Sequence, residues 1–348
     1  MAKSLIHITP IGKGYNIGNF AISIAIRKLL FKIYNDLTIV TYPAHGATES
    51  GLNKKIIFEA NQWCDGIIVG GGNLYENNEL FIDFNALESL QVPLVLFSIS
   101  LGKIYSKSSH LTRRTDVMPN NDLKNLHRFS SNSLTRDIAT QSHLESIGIE
   151  NSILGGCPTL GLNEFVKKEN LPSYENKKFL ISIRNPELMN IPRSLKSKMP
   201  SIVKNICTLI KKKYQAIPLL LCHDQRDIGF ASSFDDAEFY FTSDVYEYLG
   251  LLNSSQLVVS MRIHATLPCL SYGVPVINLS YDERGISLLK TIGFSSWDIN
   301  LVEEESNLEN LLIDRMENLD SLESLRRSSV IIRGKLLDIQ SNVLQAFR

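Results

Sequence analysis

The sequence predicts an α/β protein built from two parallel sheets in tandem, and three observations carry that reading. Short apolar runs alternate with helix-length stretches, the pattern of parallel strands covered by helices. The alternation halts in a polar segment at 163–178 and then restarts. At 348 residues with 44% hydrophobic side chains, the chain exceeds the roughly 250 to 300 residues at which single cores stop growing.

Taken in order, the first half gives strands at 4–9, 37–42, 65–70 and 93–100, with helices near 19–34 and 53–62. After the polar segment, read as a linker because it lacks apolar periodicity, strands fall at 179–184, 216–222, 237–242, 256–260 and 273–279. Helices lie near 196–214 and 244–253. From about 307 onward, leucine and isoleucine recur at threes and fours, a helical tail able to cross back onto the first half. The expected units are 1–165, 176–320 and a terminal helix at 321–348.

Charge excludes one class of partner. Lys+Arg and Asp+Glu both total 36, so no global positive field draws in nucleic acid. Five cysteines form no CxxC pair and sit mostly in apolar surroundings, the habit of reduced core thiols. The apolar run at 4–9 is too short for a signal peptide, and no stretch approaches about 18 consecutive apolar residues. A soluble cytoplasmic protein that does not span a membrane is the expectation.

Ligands of open parallel sheets collect at the carboxyl ends of strands, and the informative polar clusters fall there. In GKGYNIGNFAI, Gly12, Gly14 and Gly18 permit close backbone approach and Asn16 and Asn19 offer amides; a plain helix-capping turn explains the stretch equally well. DGIIVGGGNLY ends its strand in Gly70, Gly71 and Gly72, followed by Asn73, which would leave backbone donors unobstructed for an anion or a sugar hydroxyl. Arg184 closes the strand FLISIR. Arg262 and His264 follow the strand ending at Ser260; separated by one residue, they would face one side of an extended segment, next to a helix start whose dipole adds positive charge. Together they describe an anion site, although a structural pairing with Asp282 accounts for the same residues. His223 and Asp224 in CHDQRD, and Asp137 as a helix cap, are lesser candidates. No metal or cofactor is indicated: P-loop, HExxH, GxSxG and DxD are all missing.

The stretches YNIGNFAI, DGIIVGGGNLY, FLISIR and above all SMRIHATLPCLSYGVPVINLSYDERG resemble the polysaccharide pyruvyl transferase family. The segments RDIATQSHLESIGI and GCPTL match its middle blocks. The resemblance implies two Rossmann-like domains facing a cleft, in the manner of GT-B glycosyltransferases. It also implies transfer of the enolpyruvyl group of phosphoenolpyruvate to two hydroxyls of one sugar, forming a cyclic ketal and releasing phosphate. Arg184, Arg262, His264 and Arg284 would hold phosphoenolpyruvate, with His264 as general acid and Arg262 beside it in the catalytic step. Asn16, Asn19, Gly70, Gly71, Gly72 and Asn73 would hold a glycan or lipid-linked sugar acceptor, the latter bringing peripheral association with a membrane. The family usually has Asp where Asn19 and Cys157 stand, and Pro-Lys where Glu283 and Arg284 stand. No general base stands out beyond Asp65 and Asp282. Other readings are a GT-B glycosyltransferase with a nucleotide-sugar donor, for which Glu247 is poorly placed to bind ribose, and a non-catalytic glycan- or anion-binding relative.

Overall fold

In a computed structural model of the chain, which describes residues 2–11, 16–46, 48–106, 109–174 and 178–347, the apolar runs form two six-stranded sheets. The first contains β1 (Lys3–Thr9), β2 (Leu37–Pro43), β3 (Gly66–Gly72), β4 (Leu94–Ile99), β5 (Asn132–Thr135) and β6 (Ser152–Leu154), in the order β2-β1-β3-β4-β5-β6. The second contains β7 (Phe179–Ile183), β8 (Leu219–Cys222), β9 (Phe239–Phe241), β10 (Leu257–Ser260), β11 (Val276–Ser280) and β12 (Ile299–Asn300), in the order β12-β11-β10-β7-β8-β9. Every pairing is parallel. Central strands such as β3, β4 and β7 are buried along their whole length, which is why they read as unbroken apolar runs rather than alternating ones.

Strand order fixes where a ligand can sit. It reverses between β1 and β3 in the first sheet and between β7 and β10 in the second, and such reversals open a crevice at the strands' carboxyl ends. In the second sheet Ser182 pairs with Ser260, so the chain leaves β7 and β10 side by side, and Arg184 and Arg262 follow almost at once. Helices start at these ends because Asn and Asp side chains take up their first free N–H groups: Asn16 for the helix Ile17–Ile33, Asp137 for Ile138–Ser146 and Asp282 for Glu283–Thr291.

Some expectations are corrected. β3 runs on through Gly72 instead of ending at Gly70. β6 and β12 escape a hydropathy reading because they are three and two residues long and carry Ser or Asn, while β5 shows in the sequence as a strand end at LTRD, before the cap Asp137. The polar segment read as a linker is docked in its described part. Ser271 Oγ donates to Asn163 Oδ1 at 2.8 Å and accepts from the Asn163 N–H at 3.0 Å, while Tyr272 Oη donates to the Val166 carbonyl at 3.2 Å. Gly12 and Gly14, and the far part of that segment at 175–177, lie outside the described residues.

The tail folds as Leu308–Glu317, Leu319–Ser328 and Val330–Leu344, and the last of these crosses back to the first sheet. Gln340 Nε2 donates to the Gly155 carbonyl at 2.7 Å, Tyr34 Oη donates to that of Leu344 at 2.8 Å, and Phe347 fills the space over Gly66. No helix among the described residues is long and apolar enough to cross a membrane.

Candidate active site

The two sheets turn their carboxyl ends toward each other across a cleft of about 560 Å³. Pro10, Asn16, Asn19, Asn73 and Asn77 line it from the first sheet's side; Arg184, His223, Arg262, His264 and Tyr281 line it from the second. The walls are stitched together where the first helix begins. The Ile17 N–H donates to the His223 carbonyl at 2.9 Å, and His264 lies so close to Gly18 that a Cβ there would sit 2.8 Å from the His264 Cβ. Gly18 therefore permits a close approach, but to a catalytic candidate rather than to a ligand.

Arg262 and His264 reach the cleft by a different geometry from the one expected. β10 stops at Ser260, Arg262 is the extended residue that starts the helix Ile263–Tyr272, and His264 lies in its first turn. The Ser260 hydroxyl accepts from the Arg262 N–H at 3.1 Å and donates to the Arg262 carbonyl at 2.8 Å, fixing the turn. Tyr248 Oη donates to the His264 carbonyl at 2.7 Å and lies 3.2 Å from His223 Nε2, which also meets Ser182 Oγ at 2.9 Å.

Positive charge is in excess here. No carboxylate among the described residues pairs with the Arg262 guanidinium. Arg184 is shared loosely between Asp227 at 3.3 Å and Asp224 at 3.5 Å, and Asp224 is itself gripped by Arg226. Arg136, at the end of β5, has only Asp137 at 3.8 Å. Nε of both Arg136 and Arg184 is buried without a hydrogen-bond partner. Burial, then the Arg262 charge, lowers the Arg184 pKa. Burial, followed by Arg136, Arg262 and Arg284, pushes His264 well below its ordinary value, so its imidazole is neutral, with Nε2 buried and unpartnered. His223 is depressed in the same way by burial, Arg262, His264 and Arg184. Buried cations without counter-ions are costly, and an anion bound among them removes that cost.

Other expected residues fall into place or out of it. Asn16 and Asn19 line the cleft; Asn16 Oδ1 accepts from the Gly18 N–H at 3.1 Å and Asn19 Nδ2 donates to the Pro10 carbonyl at 2.7 Å, which an Asp in that position could not do. Asn73 also lines it, its amide 3.5 Å from Glu76 Oε2. Gly70, Gly71 and Gly72 do not line it. They are buried inside β3; a Cβ on Gly70 would lie 2.1 Å from the Phe97 carbonyl oxygen and one on Gly71 2.9 Å from Ile22. Small residues are needed there for strand and helix packing, and the open row of donors expected for an acceptor does not exist.

Arg284 lines the cleft but is already engaged. Its Nη1 meets Glu76 Oε2 at 3.0 Å and its Nε meets Asp282 Oδ2 at 3.1 Å. Burial opposes its charge, yet Asp282 and Glu76 hold its pKa well above the usual value. It joins the two halves of the molecule instead of offering a free cation to a donor. Asp282 caps its helix, and although burial works to raise its pKa, Arg284 holds it below the ordinary value. Asp65 lies at the opposite end of the first sheet, held by Lys3 and the Ser4 N–H, so it is no base for this cleft. Glu247 is bound to Tyr240 and Thr242 away from it.

Three residues escaped the sequence reading. Glu76 is 1% exposed and gathers Arg284, Arg114 and the Gly102 N–H, the last at 2.6 Å. Arg114 and Arg136 complete the cationic lining. The available signal was an Arg-Asp pair at the end of β5, where Asp137 drew attention as a cap and Arg136 did not. Cys157, where the family usually has Asp, lies within electrostatic reach of Arg136, and burial raises its thiol pKa, so it supplies no counter-charge.

Three solved structures share the architecture at low sequence identity. A putative UDP-N-acetylglucosamine 2-epimerase from Listeria monocytogenes aligns at TM-score 0.60 with 12% identity, covering 94% of this chain and 91% of that one. S. aureus MnaA in its UDP co-structure aligns at 0.58 with 14% identity, covering 93% and 89%. An O-GlcNAc transferase mutant from Thermobaculum terrenum aligns at 0.50 with 12% identity, covering 99% and 66%. These likenesses give the fold, the GT-B arrangement. No curated protein is significantly similar in sequence. The polysaccharide pyruvyl transferase family matches residues 16–283, a span holding both crevices and the Arg136, Arg184, Arg262 and His264 of the cleft, and the chain belongs to that family.

Proposed function

We propose that the protein transfers the enolpyruvyl group of phosphoenolpyruvate to two hydroxyls of one sugar in a surface polysaccharide or its precursor, forming a cyclic pyruvate ketal and releasing phosphate. The observation that carries this is the cluster of Arg136, Arg184 and Arg262 around His264, in which, among the described residues, Arg262 pairs with no carboxylate and Arg136 and Arg184 have contacts of 3.3 to 3.8 Å. Phosphoenolpyruvate brings a phosphate and a carboxylate, which two or three guanidinium groups and a helix start can neutralise and orient at once.

In the first step His264, as imidazolium, gives its proton to C3 of the enol phosphate. The oxygen of one sugar hydroxyl bonds to the cationic C2 and passes its own proton to a phosphate oxygen, leaving a phosphoketal. In the second step the C2–O bond to phosphate breaks, the second hydroxyl closes the ring, and its proton restores His264. Of the two hydroxyl protons, one ends in the new methyl group and the other on phosphate, so the balance closes. The neutral His264 of the empty cleft does not contradict the first step. Burial is the largest cause of that depression, but of the charges that add to it those of Arg136 and Arg262 are ones the substrate anions would neutralise, so the acid forms with the complex. Asn16, Asn19 and Asn73 would meet the uncharged acceptor with amides on the opposite wall.

The test is phosphate release from phosphoenolpyruvate in the presence of candidate acceptor glycans, with His264→Ala alongside. Turnover by the wild type and phosphoenolpyruvate binding without turnover by the variant are expected. Near-normal turnover by the variant removes His264 from the chemistry. Turnover of a UDP-sugar, with none of phosphoenolpyruvate, overturns the reaction itself.

A further inference from the structure

The helices Ile263–Tyr272 and Glu283–Thr291 begin at the cleft and end on the far side of the second sheet, at a corner made by the junction of the last two helices. There Arg326 lies against Gly273, just past the first of them, and Ile332 against Gly293, just past the second. Val330, Ile331 and Ile332 project from this corner with 51%, 69% and 38% of their surfaces exposed. Three adjacent aliphatic residues so exposed are uncommon on a soluble surface without a partner.

The surrounding sequence SLRRSSVIIRGKLL carries Arg326, Arg327, Arg333 and Lys335 and no acidic residue. Glu323 offsets part of this charge by meeting Arg326 at 2.6 Å and Arg327 at 3.5 Å. Arg333 and Lys335 have no carboxylate partner among the described residues. Beside the corner is an apolar hollow of about 90 Å³, floored by Leu270, Ile292 and Phe294 and rimmed by Arg326, Arg327 and Arg333, where Arg326 Nε is buried without a partner.

We propose that this corner docks the protein on an anionic lipid bilayer, with the aliphatic residues entering the interface and the cations meeting lipid headgroups. An apolar tip within a basic ring is the chemistry of interfacial membrane contacts. Charge argues against a second copy of the chain, because a two-fold contact here would set the same cations against each other. The exposed aliphatic tip argues against nucleic acid. Docking at this end leaves the cleft open at the other, so binding does not require catalysis and stands whether or not the pyruvyl transfer reading does.

The experiment is flotation of the full chain with vesicles of phosphatidylcholine alone and of phosphatidylcholine mixed with phosphatidylglycerol. Wild type should float only with the anionic vesicles, and added salt should weaken the effect. Each cation near such a surface contributes about a factor of five, so Arg333→Gln combined with Lys335→Gln should cut the partition about thirtyfold. Ile331→Asp should also release the protein. Because Ile331 and Lys335 are exposed and Arg333 is half-buried at the rim of the hollow, thermal melting of each variant serves as the folding control. Absence of binding by the wild type, equal binding to both vesicles, or undiminished binding by both variants overturns the proposal. So does a concentration-dependent dimer that Ile331→Asp abolishes, which would assign the corner to a second copy.

Discussion

Arg284 Nη1 lies 3.0 Å from Glu76 Oε2, and with that contact a residue after β11 closes onto a residue after β3. Glu76 has no side-chain exposure and Arg284 has 20%, so the pair is a largely buried link between the two sheets. Removing one partner from a buried pair costs about 3–5 kcal/mol when the other charge is left alone, and less here, because Asp282 still meets Arg284 and Arg114 and the Gly102 N–H still meet Glu76. Arg284→Gln and Glu76→Gln should each lower the denaturation midpoint, and the double variant should lose less than the two effects added together. Arg284→Gln should change phosphoenolpyruvate affinity by less than about threefold at temperatures where it stays folded, since a committed cation offers the ligand little. If it weakens binding as much as loss of Arg262 does while melting normally, the interlobe assignment is wrong.

Arg262 predicts the reverse pattern. Among the described residues its guanidinium has no carboxylate to leave behind, and it crowds Arg184, whose pKa burial and the Arg262 charge lower. Arg262→Met should therefore keep or raise the melting temperature of the empty protein. Lost hydrogen bonds to a charged ligand are worth about 1.5–3 kcal/mol, so phosphoenolpyruvate binding should weaken about ten- to hundredfold. Calorimetric titration and thermal melting on one preparation check both halves; a variant that melts early and binds normally contradicts both.

Part of the cleft's lining was legible in the sequence, and the illegible part has a physical cause. Arg184, Arg262 and His264 could be picked out because each stands just past an apolar run, where a parallel sheet places its ligands. Gly70, Gly71 and Gly72 were misread because a row of small residues looks the same whether it opens to a ligand or to the Phe97 backbone and the Ile22 side chain. Arg284 was misread and Glu76 missed for one shared reason: a side chain's partner 208 positions away leaves no local trace. The two sheets followed from the period of the apolar runs, whereas β6 and β12, at three and two residues, hold too few side chains to show one.

His264 gives a proton-linkage prediction. Burial and the charges of Arg136, Arg262 and Arg284 keep it well below 6.5 in the empty cleft, and bound anions raise it. Between the free and bound values the complex holds a proton that the free protein does not, so affinity rises as pH falls through that window. Titration of phosphoenolpyruvate at neutral pH in buffers of different ionisation enthalpy should show net proton uptake by the wild type. His264→Gln should show less, by up to one proton, the ligand's own ionisation being common to both. Identical uptake would place the titrating group elsewhere.

Asp298 gives the last prediction. Its Oδ1 accepts from Asn278 Nδ2 at 2.7 Å and from Ser280 Oγ at 2.9 Å, and both of those residues line the cleft. Burial outweighs these bonds and raises the carboxyl from 3.8 to about 6. Between those values the folded protein binds a proton that the unfolded chain has released. The stability Asp298 contributes is thus full below 3.8 and is lost as pH rises through about 6, a total of about 3 kcal/mol. Asp298→Asn keeps an acceptor for Asn278 and Ser280 and removes the ionisation, so it should match the wild type near pH 4 and exceed it by up to that amount above pH 7. His7 and His127, which burial lowers to about 4, make stability fall with pH below 6.5 in both proteins, and the difference between the two curves cancels them. Urea midpoints across this range decide the matter: a difference that does not change with pH would mean that folding leaves the carboxyl unshifted, and an Asn penalty that grows with pH would mean that the ionised carboxylate is the form the fold prefers.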